Sequence, residues 1–299
     1  MNETPIVFES RGVPLVGMLH HADGSPEYGI LIIVAGGPQY RIGGHRQLVL
    51  WARMFAGIGF PVLRFDFAGM GDSYGSYTGF EDAEEDLRAA IDKLFAEYPS
   101  LKGVILWGEC NACSASLFYA HKDPRVARIV MLNPWVRTEE GQAKAVVRHY
   151  YLNRLMQRSF WAKVLSLKFN VFASVRSAVH MFSTAIGLGA AKHVNSDDSS
   201  LAHQGTLPDR MLYGLSRFKG QVMLVMSGRD MVAKEFDDLV AAMPAWKKCL
   251  AERNTVRHDL PYADHTFSTA EWRDQVGQWG VEWLKPLRQL DSCSTACES

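Results

Sequence analysis

The residues that could do chemistry begin at a cysteine that follows an apolar run. The segment Val104-Ile-Leu-Trp-Gly-Glu-Cys-Asn-Ala leads to Cys110, and the small residues Gly108 and Ala112 stand two positions on either side of it. A nucleophile on a sharp strand-to-helix turn needs small neighbours there, because larger side chains would collide. The N-terminus of the following helix would supply positive potential and amide donors, which lower the pKa of a thiol. The pattern predicts Cys110 as a catalytic nucleophile.

A nucleophile needs a base, and the base needs an orienting group. Asp230 follows the apolar run Val222–Met226, and His265 follows the run Val256–Leu260. Each therefore lies on a loop at the end of a predicted strand, and the chain order is nucleophile, acid, histidine. Asp264 is a poor orienting group because it is adjacent to His265 in sequence. We therefore predict His265 as the base and Asp230 as its partner.

Two segments could donate hydrogen bonds to an oxyanion. The first is the N–H of Asn111, directly after the nucleophile. The second is the loop Ala35-Gly-Gly-Pro-Gln, which follows the first strand of the predicted parallel sheet. Pro38 has no N–H, so Gly37 or Gln39 must donate, and the sequence leaves that choice open.

These side chains need a scaffold, and the hydrophobic pattern predicts one. An opening hairpin is followed by short apolar, β-branched runs that alternate with amphipathic stretches, as in a mostly parallel sheet with helices on both faces. The predicted strands are Ile6–Glu9, Leu15–His20, Gly29–Val34, Pro61–Phe65, Val104–Trp107, Ile129–Leu132, Val222–Met226 and Val256–Leu260. A final helix with a tryptophan stripe should end at Pro286. The predicted fold class is α/β.

The alternation is interrupted by a stretch with helical patterning only. We predict a core at 1–135 and 220–287, a helical cap inserted at 136–219, and a flexible tail at 288–299. Between positions 137 and 176 the cap carries eight basic residues against two acidic ones. This face is either simply solvated or contacts an anionic membrane surface or an acyl carrier protein.

Charge and cysteine content narrow the expected partners and the cellular compartment of the protein. With 32 basic and 32 acidic residues and a pI of about 7.1, bulk charge does not favour nucleic acid as a partner. The N-terminus lacks the pattern of a signal peptide, and five cysteines in 299 residues fit a reducing compartment. We expect a cytoplasmic protein, or one peripheral to the inner membrane, with no metal or cofactor.

Several motifs together resemble a known family. The segments GGPQYRIGGHRQ, PVLRFDFAGMGDS, WGECNACSA, SGRD and DHTF are similar to those of the α/β-hydrolases encoded with bacterial exosortase and exopolysaccharide systems. The resemblance covers about 5–135 and 220–285 and implies an α/β-hydrolase fold with Cys110, Asp230 and His265 as its triad. The cysteine elbow is more distantly similar to that of dienelactone hydrolases. Ala112 departs from the usual elbow glycine.

The expected activity is cleavage of an ester or thioester through an acyl-enzyme. An acyltransferase that uses a glycan or other hydroxyl acceptor is the close alternative, and a non-catalytic scaffold is another. Cys110 and Cys113 also form a C-x-x-C, so Cys110 could be a buried structural cysteine or half of a redox pair. We further hypothesise that Cys113 resolves an oxidised Cys110.

Overall fold

The computed structural model describes residues 2–35, 40–137 and 205–294, with side chains described up to 287. Within these ranges the strands are β1 Glu3–Ser10, β2 Val13–His20, β3 Tyr28–Ile33, β4 Val62–Phe65, β5 Gly103–Glu109, β6 Val126–Leu132, β7 Gln221–Ser227 and β8 Val256–Leu260. They form one sheet in the order β1-β2-β4-β3-β5-β6-β7-β8. Strand β2 pairs antiparallel with β1 and with β4, and every other pair is parallel.

Burial explains which strands are continuously apolar in the sequence and which are polar. Every residue of β4 and β5 is buried, which fits continuous apolar runs covered on both faces. The opening hairpin is confirmed, and its turn places Arg11 and Gly12 at positive φ. The edge strand β8 is largely exposed, and its Arg257 forms an ion pair with Asp237.

Helices flank the sheet in two groups. The helices are α1 Gln47–Gly57, α2 Glu84–Glu97, α3 Asn111–Ala120, α4 Leu207–Arg217, α5 Met231–Ala242, α6 Pro244–Glu252 and α7 Ala270–Ser294. In one group α1 contacts α7. In the other, α3 contacts both α2 and α4, α4 contacts α6, and α6 contacts α5. In the described part of the chain, every helix is too short or too polar to cross a membrane.

The prediction that the last helix ends at Pro286 is wrong. Helix α7 continues through this proline to Ser294, so 288–294 is helical where a flexible tail was expected. Pro286 is exposed and removes one backbone donor, but the next residue, Leu287, is 6% exposed and belongs to the core. Burial of Leu287 offsets the lost hydrogen bond.

Helix α4 lies in the range predicted as a cap but packs on the core. Its Met211 and Leu215 are fully buried. Gly214 permits a close crossing with α3, since a Cβ at this position would lie 2.0 Å from the Leu117 carbonyl oxygen. The other helical stretches predicted for the cap lie outside the described residues.

The loop after β4 is braced by a buried carboxylate. Asp66 is fully buried and accepts hydrogen bonds from the backbone N–H groups of Arg41, at 2.6 Å, and Asp72, at 3.1 Å. Gly71 has a φ of +52°, and a Cβ there would lie 2.3 Å from the Asp66 carboxylate. Ser73 donates to the Asp66 carbonyl oxygen at 2.7 Å. This loop therefore fixes the chain at Arg41, close after the predicted oxyanion loop.

Candidate active site

Cys110 occupies a strained turn between β5 and α3. Its φ of 58° and ψ of −126° lie in a region that non-glycine residues rarely adopt, and it is the N-cap residue of α3. A Cβ at Gly108 would lie 2.9 Å from the Ala112 backbone, which explains the need for small residues here. The Cys110 N–H donates to the Leu132 carbonyl at 2.9 Å, so the end of β6 supports the turn. Cys110 is partly exposed.

Three predicted site residues meet at the carboxyl ends of β5, β7 and β8. His265 donates from Nδ1 to Asp230 Oδ2 over 2.7 Å. The Cys110 thiol is the second hydrogen-bond partner of the His265 side chain. Asp230 is 6% exposed and also caps α5, where its carboxylate accepts from Val232 N–H at 3.0 Å and Ala233 N–H at 3.2 Å. The carboxylate is therefore held by its own helix while it orients the imidazole.

The electrostatics favour a proton on the histidine. Burial lowers the pKa of His265, but its hydrogen bonds with Asp230 and Cys110 and the charges of those groups outweigh burial and raise the pKa to about 10. An imidazolium at neutral pH can stabilise a neighbouring thiolate. The arrangement can thus hold a cysteine and a histidine as an ion pair.

Of the predicted oxyanion donors, only Asn111 lies within the described residues. Asn111 is the first residue of α3, where backbone N–H groups point out of the helix N-terminus and can bind an anion. Gly37 and Gln39 lie outside the described residues. The choice between them stays open.

Cys113 does not match the redox hypothesis. It is fully buried, and its thiol donates to the carbonyl oxygens of Gly108 at 3.3 Å and Leu132 at 3.5 Å. Burial raises the pKa of the Cys113 thiol well above its usual range. A thiol that stays protonated and buried is a poor resolving group. The structure favours the alternative in which Cys113 fills a small site beneath the turn.

Asn133 connects three parts of the site, and the sequence reasoning missed it. It is fully buried with a positive φ of 47°, directly after β6. Its Nδ2 donates to the His265 carbonyl at 2.8 Å and to Ser227 Oγ at 2.9 Å, and its Oδ1 accepts from Ser227 N–H. Asn133 therefore fixes the histidine loop against the end of β7. A polar residue directly after a buried strand was the available signal.

A cavity of about 140 Å³ opens beside Cys110 and His265. Its described walls include Val34 and Leu48, and Glu109 also lines it. Glu109 is 7% exposed, and burial raises its pKa to about 7, which outweighs the lowering effects of the His265 charge and a hydrogen bond from Gln47. The sequence reasoning gave this carboxyl no role, although a glutamate inside a buried strand was a visible anomaly.

Within the described ranges, no three His, Cys, Asp or Glu side chains are grouped so that they could hold a metal ion.

Comparisons with known proteins bear on the fold. Residues 43–184 match the family described as serine aminopeptidase, S33. A search of curated proteins finds no match. A nucleophile turn after a strand, followed in chain order by an acid and a histidine on a mostly parallel sheet, defines the α/β-hydrolase fold. The chain has the α/β-hydrolase fold.

Solved structures share this fold over almost the whole chain. An esterase from Pyrococcus furiosus has a TM-score of 0.61 at 17% identity, covering 95% of this chain and 91% of that one. An esterase domain from Rhodothermus marinus has a TM-score of 0.57 at 17% identity, covering 96% and 99%. A Butyrivibrio proteoclasticus protein with ferulic acid bound has a TM-score of 0.59 at 14% identity, covering 95% and 99%.

Proposed function

We propose that this α/β-hydrolase cleaves an ester or thioester through an acyl-enzyme formed on Cys110. The observation that carries the proposal is the hydrogen-bonded line from Cys110 through His265 to Asp230 at a strained strand-to-helix turn. The fold's likeness to esterases from two organisms supports the choice of an ester substrate.

The mechanism follows from the geometry of the three side chains. His265 takes the Cys110 proton, and the thiolate attacks the substrate carbonyl carbon. The oxyanion accepts hydrogen bonds from Asn111 N–H and from Gly37 or Gln39. His265 then gives its proton to the leaving alcohol or thiol as the carbon–oxygen or carbon–sulfur bond breaks, which leaves a thioester on Cys110.

Deacylation uses the same groups in reverse. Neutral His265 takes a proton from water, the hydroxide attacks the thioester carbonyl, and the tetrahedral intermediate collapses to a carboxylic acid and the Cys110 thiolate. Asp230 orients the imidazole in both halves of the cycle.

Turnover of a p-nitrophenyl ester tests the proposal. The wild type should hydrolyse it, Cys110→Ala should lose activity by orders of magnitude, and Cys249→Ala should retain it as a matched cysteine control. Cys110→Ser tests whether the hydroxyl that is usual in this fold can substitute. An acyl adduct on the Cys110 peptide, found by mass spectrometry, would identify the intermediate. Full activity in Cys110→Ala would exclude the nucleophile, and an inactive wild type would favour a non-catalytic scaffold.

Transfer to a hydroxyl acceptor is the alternative fate of the acyl-enzyme. The resemblance of the motifs to α/β-hydrolases encoded with exosortase and exopolysaccharide systems supports a glycan acceptor. Acyl groups should then appear on an added glycan in proportion to its concentration. Quantitative release as free acid at every glycan concentration would leave hydrolysis.

We also propose that the basic stretch at 137–176 contacts an anionic membrane surface, with the protein cytoplasmic and peripheral to the inner membrane. Arg137 is already paired with Glu235, at 3.0 Å, and the rest of the stretch lies outside the described residues. Replacing Arg148, Arg154 and Arg158 with Gln should weaken binding to anionic vesicles and flatten its salt dependence. Unchanged binding would mean that this face is simply solvated or contacts an acyl carrier protein. Binding to an acyl carrier protein would then be measured.

A further inference from the structure

Two buried oxygen atoms beside the nucleophile have no hydrogen-bond partner among the residues that the structure describes. Glu109, the last residue of β5, accepts at Oε2 from Gln47 Nε2 over 3.2 Å. Gln47 begins α1 and is 2% exposed. The remaining oxygen of each side chain, Glu109 Oε1 and Gln47 Oε1, is buried without a partner among the described residues. Buried polar atoms are usually satisfied, so this pair needs an explanation.

An ionised Glu109 cannot satisfy these atoms. A carboxylate has acceptors only, and the Gln47 amide oxygen is also an acceptor. Turning the amide around would set its oxygen against the carboxylate and make the contact worse. A single proton on Glu109 Oε1, donated to Gln47 Oε1, supplies a partner to both orphaned oxygens. The acid and the amide then form a ring of two hydrogen bonds.

The charges around Glu109 agree with a neutral acid. Within the described ranges, His265 is the cation among the largest influences on Glu109, and that charge also acts on Asp230 and Cys110. Asp230 and Asp264 both oppose ionisation of Glu109. The described residues give Glu109 no ion pair, and an unpaired buried carboxylate is costly.

We propose that Glu109 is a positioning residue that stays a neutral acid by donating its proton to Gln47, and that it thereby keeps a further negative charge away from Cys110 during acyl transfer. The second part of this inference rests on the proposed function. An anion at Glu109 would oppose both the Cys110 thiolate and the oxyanion that develops next to it.

The consequence is that kcat/KM depends on the ionisation of Glu109 at alkaline pH, which acts as a switch. Burial raises the pKa of Glu109 to about 7, so the carboxyl ionises as the pH rises through that value. The wild-type kcat/KM should then fall as the pH rises through about 7, by at most about tenfold per pH unit. Glu109→Gln cannot ionise, and its amide can still pair with Gln47 through complementary donors and acceptors. Its kcat/KM should stay level until His265, with a pKa raised to about 10, loses its proton.

The kinetic test compares three full-length proteins with one p-nitrophenyl ester. Wild type and the exposed control Glu85→Gln should share the alkaline fall, whereas Glu109→Gln should lack it. An alkaline fall in Glu109→Gln equal to that of the wild type would overturn the switch.

A second measurement does not depend on activity or on the proposed function. The side-chain carboxyl carbons of glutamates labelled with ¹³C can be titrated by NMR, and the signal missing from Glu109→Gln belongs to Glu109. It should titrate near pH 7. A titration complete by about pH 5 would overturn the neutral acid, even if the enzyme is active. If the wild type turns over no ester but Glu109 titrates near pH 7, the proposed function fails and the neutral acid stands.

Discussion

Replacing Asp230 by asparagine separates its two structural roles. In the wild type the carboxylate accepts from Val232 N–H, Ala233 N–H and His265 Nδ1. Asparagine keeps one oxygen for the N-cap of α5, so the helix retains a preferred capping residue. Its Nδ2, however, is a donor facing His265 Nδ1–H. The imidazole must then carry its proton on Nε2 and can no longer accept the Cys110 proton.

The two effects have very different sizes. Loss of one hydrogen bond at the helix N-terminus and of the charge-assisted hydrogen bond from His265 should together reduce the free energy of unfolding by about 3 kcal/mol. A wrong histidine tautomer costs a serine protease about 10⁴ in kcat. A thiol is more acidic than a serine hydroxyl, so we expect a loss in kcat/KM of at least about a hundredfold for Asp230→Asn, and smaller than the loss for Cys110→Ala.

Urea unfolding and ester turnover on the same preparations measure both effects. Asp237→Asn is a matched control on the same helix, because it removes an exposed ion pair with Arg257 and lies away from the site. It should change the free energy of unfolding by less than about 1 kcal/mol and leave activity intact. Full activity in Asp230→Asn would refute the orienting role. A loss of stability well beyond about 4 kcal/mol would refute the division between cap and catalysis.

Three further outcomes follow from the same geometry. Cys110→Ala and His265→Ala should each lower ester hydrolysis by orders of magnitude, and the double variant should be little worse; additive losses in kcat/KM would mean that the pair does not act as a unit. Iodoacetamide at neutral pH should label Cys110 before the buried Cys113 and Cys249, and a mass-spectrometric time course with Cys110 slowest would contradict its exposure and activation. Because the folded-state pKa of Glu109 is raised from 4.5 to about 7, the folded protein holds a proton that the unfolded chain loses between those values, and stability falls as the pH rises through that window. At 1.36 kcal/mol per pKa unit, wild type should lose about 3 kcal/mol more than Glu109→Gln in urea unfolding between pH 4.5 and 7; equal losses would contradict this.

The features that the sequence predicted well are local in the chain. The nucleophile turn depends on Gly108, Cys110 and Ala112, which lie within five residues. The strand that ends before Asp230 could be recognised from its continuous apolar run, Val222–Met226. The strand before His265 reads Val-Arg-His-Asp-Leu and is apolar only at its two ends. Because the ends of parallel strands meet at one edge, placing each residue after a strand was enough to predict that they converge.

The features that the sequence did not predict depend on contacts between distant segments. Gln47 and Glu109 are 62 positions apart, and Asn133 and Ser227 are 94 apart. Neither pair belongs to a motif, and only the packing of α1 on β5 or of β6 on β7 brings them together. The helix end at Pro286 failed for a related reason, since burial of Leu287 could not be read from local propensity.

Charge balance connects the triad to Glu109. The raised pKa of His265 places one positive charge in the site, and Asp230 and Cys110 are the groups that raise it. In the part of the chain that the structure describes, a further anion at Glu109 would have no ion-pair partner. Burial can therefore hold that carboxyl neutral, while Asp230, which accepts from two backbone N–H groups, orients the imidazole. Asp230 itself contributes to the raised pKa of Glu109. The two carboxyls therefore divide their roles through their surroundings: backbone donors and His265 hold Asp230 in place as the orienting acid, and an amide partner favours the proton on Glu109.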